Sequence, residues 1–188
     1  RFYGAIQLLK NRSGAMQAVF QQAMTESFRE FGSGQDQEHS VEQQIDMSTL
    51  SLVQRDELED ELAISVIVSK SNSRNSEALW KLNKRLAVMR GGKNVTDETN
   101  PFGPAQVCEA LQKAIQQLDM DSKTRIYIYK HFGKSFVVSF NKVLQGLNDL
   151  LIGKGILPNL RFSVANAAQA DVAATVEDDA VAVERLAQ

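Results

Sequence analysis

Few side chains in this chain could do chemistry, and their spacing limits what that chemistry would be. The only histidines are His39 and His131, and Cys108 is the sole cysteine. A serine or cysteine nucleophile ordinarily takes its proton-accepting base from a histidine. His39 falls in a polar stretch without periodicity and His131 sits between Lys130 and Phe132, so both read as surface histidines. Two histidines and one cysteine without close ligand spacing do not make a structural zinc site. The densest acidic run is Asp56, Glu57, Glu59, Asp60 and Glu61. On a helix only its members three or four apart share a face, such as Asp56 with Asp60 and Glu57 with Glu61. With no histidine or second acidic helix beside it, the run reads as a solvated face matched to a helix N-terminus. Gly32-Ser33-Gly34 lacks the later glycine and the lysine that a phosphate loop needs. No catalytic, metal or cofactor residue is assigned on these grounds.

A second group is basic. Arg74, Lys81, Lys84 and Arg85 fall within one arc of a helix, and Trp80 stands among them beside Leu79 and Leu82. This arc is a candidate interaction surface, for an acidic partner or for phosphate oxygens. The formal net charge is −2, which gives no global attraction to nucleic acid or to an anionic membrane. No apolar run reaches the roughly 18 residues of a membrane span. A lone cysteine excludes an internal disulfide and favours a reducing compartment, so a cytoplasmic location is expected. The first residue is Arg1, and the chain reads as a piece of something larger.

The elements that must position these groups are helical. The longest amphipathic stretch runs from Asp119 to Leu157. Tyr129, Phe132, Phe136, Phe140, Val143, Leu147 and Leu150 recur there at three- and four-residue steps. Asp119 or Asp121 is placed to cap its start, Gly153 or Gly155 to end it, and Pro158 blocks continuation. Residues 1–31 read as one helix striped by Phe2, Ala5, Ile6, Leu9, Met16, Phe20, Ala23 and Phe31. Ser13-Gly14 weakens it by about 1 kcal/mol relative to alanine. Residues 32–46 read as a flexible connection. Structure resumes at Met47, and the helical domain spans residues 47–164.

Within that domain, Leu62 to Val68 is apolar all round and rich in β-branched side chains, which also suits a buried strand. The flanking pattern favours helix. Ser71-Asn72-Ser73 leaves open whether one helix or two reach Gly91-Gly92. Asn100-Pro101-Phe102-Gly103-Pro104 fixes a turn, with Pro104 at the first position of a helix carrying Val107, Leu111, Ala114 and Leu118. That segment, Pro104–Leu118, and Asp121–Gly153 are expected to form an antiparallel hairpin. Residues 165–188 are rich in alanine and acid and read as a linker or a loosely held helix outside the core. The fold expected is all-α, a bundle of four to six helices around that hairpin.

Several stretches together carry a resemblance. They are Leu50-Ser51-Leu52-Val53 with Asp56-Glu57-Leu58-Glu59, then Asn75 to Leu86 (NSEALWKLNKRL), Asn100 to Glu109 (NPFGPAQVCE) and Ile156-Leu157-Pro158. Tyr3 to Phe20 fits as well. In order and spacing the chain, from Arg1 to about Leu160, resembles a proteobacterial family of unknown function whose long members are often labelled thymidine phosphorylase. The resemblance implies the N-terminal helical region of a longer protein, with a PilZ-like segment near its far end linking it to cyclic-di-GMP. The PilZ ligand pattern, Arg-x-x-x-Arg with Asp/Asn-x-Ser-x-x-Gly, does not occur here. True pyrimidine nucleoside phosphorylases resemble one another through a phosphate-binding segment and a large α/β domain, and this chain shows neither.

The reading is therefore a non-catalytic regulatory or scaffolding region acting through a protein partner or a second copy of itself. The alternative is a module binding a nucleotide or small anion between helices through the Lys81–Arg85 face.

Overall fold

The computed structural model describes residues 2–33 and 52–162. They form four helices: α1 Phe2–Ser33, α2 Leu52–Met89, α3 Pro104–Gln116 and α4 Ser122–Gly153. Among the described residues there is no strand, so the fold is an all-α bundle and Leu62–Val68 is helical. The connection read at 32–46 starts too early, since Gly32 and Ser33 belong to α1; its remaining residues and the tail read at 165–188 lie outside the described residues.

The stop signals act locally. Gly91 and Gly155 both take positive φ, at 70° and 79°. In each case the following amide bonds back five residues, Gly92 N to Ala87 O at 2.9 Å and Ile156 N to Leu151 O at 3.0 Å. α2 and α4 thus end in the same left-handed closing motif, which satisfies carbonyls the helix leaves open. At the start of α4 Asp121, rather than Asp119, is the cap, and its carboxylate accepts from Thr124 N at 2.9 Å.

α2 answers the question left open at Ser71-Asn72-Ser73. It is continuous but kinked at Asn75, where φ is −111° and ψ is 16°. The buried Asn75 amide donates to Ser71 O at 2.8 Å, and its oxygen accepts from Asn141 Nδ2 at 3.1 Å. An asparagine that bonds its own backbone four residues back competes with the helix ladder and bends it.

α4 lies along α2, while α1 packs on α3 and α3 also meets α2. The expected hairpin partners, α3 and α4, share a core at one level, where Cys108 and Ile115 pack with Tyr129 and Ile67. A second cluster joins Leu79, Leu82 and Leu86 of α2 to Phe140, Leu144 and Leu151 of α4, closed by Val95. Phe136 packs against both clusters. The α4 stripe needs one correction. Val143 and Leu150 are 55% and 61% exposed, whereas Leu144, Asn148 and Leu151 are buried. The seam shifts by one position in the last turns because Asn148 is drawn inward, donating to Ala78 O and Leu144 O.

The loop before α3 is held by a chain of amides in addition to the apolar contacts of Val95 and Phe102. Asn100 accepts from Phe102 N at 2.8 Å and donates to Asn83 Oδ1 at 2.7 Å; Asn83 in turn donates to Asp97 Oδ1 at 2.7 Å. Gly103 closes this loop so tightly that a Cβ there would lie 2.6 Å from Asp97 O. Gly103→Ala is expected to cost about 1–3 kcal/mol in urea unfolding, the usual scale of overpacking. A change within experimental error would show that the loop can relax.

Candidate interaction surfaces

The basic arc read from the sequence divides when its residues are placed. Arg74 is exposed. Lys81 bonds Glu77 at 2.6 Å. The Lys84 ammonium stands 6.0 Å from the centroid of the Trp80 ring. Trp80 is half-buried and meets Phe162 edge-on at 5.5 Å. Arg85 does not belong to the surface: it is 2% exposed. Its Nη1 donates to Asn148 Oδ1 at 2.5 Å, Nε to Ile156 O at 3.2 Å and Nη2 to Leu157 O at 3.0 Å. Burial pulls its pKa below the ordinary arginine value, against the nearby charge of Asp149. The correction has a geometric cause. Arg85 is three residues from Leu82 and next to Leu86, so it shares their inward arc, and its fork fits three converging oxygens. It clamps the chain leaving α4, where Leu157 sits at a φ of 43°. A 340 Å³ pocket beside it mixes Lys81 and Arg85 with Glu77 and Asp149, so two acids face the two cations.

A second surface feature has no counterpart in the sequence reading. A groove of about 680 Å³ runs between α2 and α4. Ala63, Ile67, Gly133 and Val137 line its depth, and Leu62, Val66 and Tyr127 line its sides. Leu62 is 65% exposed, and Val66 and Tyr127 are each 44% exposed. Lys70, Lys130, His131 and Lys134 supply basic groups along it, against the single acid Glu59. Gly133 is what lets α2 approach here, because a Cβ would stand 2.8 Å from Ile67 Cγ1. The signal was present in Leu62–Val68: a segment apolar all round is buried on one side and offers its other side to something else.

The model of the protein of unknown function DUF1631, N-terminal domain, matches residues 1–155. The chain belongs to the DUF1631 family. That assignment agrees with the resemblance carried by NSEALWKLNKRL and NPFGPAQVCE. The match ends just beyond the last residue of α4, Gly153, so all four helices fall inside the DUF1631 domain. No curated protein and no solved structure matches the chain.

In the DUF1631 domain the acidic run also divides. Glu57, Glu59 and Glu61 are exposed, but Asp60 is 2% exposed. Asp60 Oδ2 accepts from Arg125 Nε at 2.7 Å, and Arg125 Nη1 donates to Met120 O at 2.9 Å. The solvated reading of the run fails at this residue, because Asp60 falls four residues short of Ile64 and turns toward α4. Burial raises the Asp60 pKa, and the Arg125 hydrogen bond and charge oppose it. Among the described residues no three His, Cys, Asp or Glu side chains stand together as metal ligands. His131 is exposed, with its ring 4.4 Å from that of Tyr127. No described helix is long and apolar enough to cross a membrane.

Cys108 is fully buried, and burial pushes its thiol up to about 12 from 9.0. Tyr129 is raised from 10.0 to about 12, by burial first and then by Asp60. Both groups lose their proton more readily when unfolded, so their contribution is intact below pH 9 and is lost as pH climbs toward 12. Stability measured in urea is expected to fall across that window, and Cys108→Ala to flatten its lower part. A slope identical to wild type would remove Cys108 as its source. In the native state the thiol should react with a disulfide reagent only as fast as the domain opens.

Proposed function

We propose that this DUF1631 region is non-catalytic and works by protein–protein contact, as a regulatory or scaffolding part of a larger cytoplasmic bacterial protein. The observation that supports this most is the α2–α4 groove, where Leu62, Val66 and Tyr127 remain exposed together beside three lysines. Exposed apolar side chains gathered in one place and rimmed by polar groups are the usual mark of an interaction site. The location rests on the free, buried Cys108. A link to cyclic-di-GMP, implied by the family resemblance, belongs to parts of the protein beyond these residues. The nucleotide or anion reading through Lys81 and Arg85 is weaker, because Arg85 is committed to Asn148, Ile156 and Leu157.

The test is sedimentation velocity across micromolar concentrations, with capture from a lysate, for wild type and for Leu62→Glu combined with Val66→Glu. Both side chains face solvent, so the double variant should keep its helical circular dichroism and lose self-association or capture. A variant that associates and captures like wild type would defeat the groove as the contact surface. Trp80→Ala serves as the comparison at the other surface.

A further inference from the structure

The groove is basic and apolar, and the chain itself carries a segment of opposite character. Residues 165–188 hold Asp171, Glu177, Asp178, Asp179 and Glu184 against Arg185 alone. Val172, Val176, Ala180, Val183 and Ala187 recur there at helical steps, while Asp171, Glu177, Asp178 and Glu184 fall off that stripe. The segment is within reach. Phe162 rests on Trp80, and the ten residues of α2 from Trp80 back to Lys70 at the groove span about 15 Å. An extended chain covers about 3.3 Å per residue, so a handful of residues after Phe162 would bridge that distance.

We propose that residues 171–188 of the same chain bind the α2–α4 groove as an acidic amphipathic helix, Val172, Val176 and Val183 over Leu62 and Val66 and the carboxylates toward Lys70, Lys130 and Lys134. This rests on the reading of the groove as a contact surface, and it makes the tail a competitor of any partner for that surface. A helix laid into a groove through apolar anchors at three- and four-residue steps is an established recognition mode. The charge pairs would lie at the rim, so they set orientation and salt dependence more than affinity.

The experiment is carbodiimide cross-linking of the full chain as an equal mixture of ¹⁴N- and ¹⁵N-labelled protein, read by peptide mass spectrometry. Lys81–Glu77 and Lys113–Glu109, at 2.6 and 2.7 Å, are internal controls that must cross-link. The result expected is amide links from Lys130, Lys134 or Lys70 to the Asp171–Glu184 carboxylates, in peptide pairs carrying one isotope only. Leu62→Glu with Val66→Glu should lower their yield several-fold while the control links persist. Absence of tail links alongside intact controls overturns the proposal, as do mixed-isotope links, which would place a second copy in the groove. Links from Asp36, Glu38, Glu42 or Asp46 in place of the tail overturn it too. If the tail links are absent but the double variant still abolishes association in sedimentation, only the tail assignment falls and the groove reading stands.

Discussion

Arg85→Ala should lower the unfolding free energy by about 3–5 kcal/mol, since hydrogen bonds from a charged donor contribute about 1.5–3 kcal/mol each. The substitution strands Asn148 Oδ1 and the carbonyls of Ile156 and Leu157, all of which accept from the guanidinium at 2.5–3.2 Å. The fully buried one, Asn148 Oδ1, carries a desolvation penalty of about 1–3 kcal/mol when stranded, while the two carbonyls are partly open to water. Arg85→Lys should recover only part of the loss, since an ammonium cannot reach three separated oxygens in one plane. Urea unfolding of both variants checks this. An alanine variant within about 1 kcal/mol of wild type, the ordinary surface range, would return Arg85 to the surface arc.

Phe136→Asp should leave no cooperatively folded domain. Phe136 packs on both core clusters, stacking with Phe132 at 4.9 Å and tilting against Phe140 at 4.4 Å. A carboxylate there has no cation positioned for it and must either stay charged in apolar surroundings or break the packing. Phe140→Ala, at a site 5% exposed, should cost about 3–5 kcal/mol. Thermal melting followed by circular dichroism reads both. Two near-wild-type melts would remove α4 from the centre of the fold.

The helix ends are legible in the sequence because local chemistry sets them: Pro104 after a turn, Asp121 as a cap, and glycines that tolerate positive φ at 91 and 155. The inward positions of α4 are legible as far as Phe140, where aromatic side chains dominate the seam. Beyond it, polar residues decide the packing. Asn148 and Arg85 are buried as a pair 63 residues apart in sequence, and a hydrophobic pattern assigns both to water. Asp60 is misplaced by the same reasoning, since its partner Arg125 lies 65 residues away. The groove escapes detection for a related cause. It exists where Gly133 meets Ile67, a contact between elements that no spacing within either helix records.

Which face of the bundle is covered can be read by hydroxyl-radical footprinting of the full chain, compared between dilute purified protein and protein in an extract of its source cells. Val88 and Met89 lie on α2 well away from the groove and are 50% and 51% exposed, which makes them the reference. If the groove is the contact surface, Leu62, Val66 and Tyr127 are protected together while Val88 and Met89 stay reactive. The protection arises in the extract where a partner fills the groove, and already in the dilute protein where the chain's own tail does. Protection centred on Val88, Met89 and Trp80, with Leu62, Val66 and Tyr127 reactive in both samples, would contradict the account.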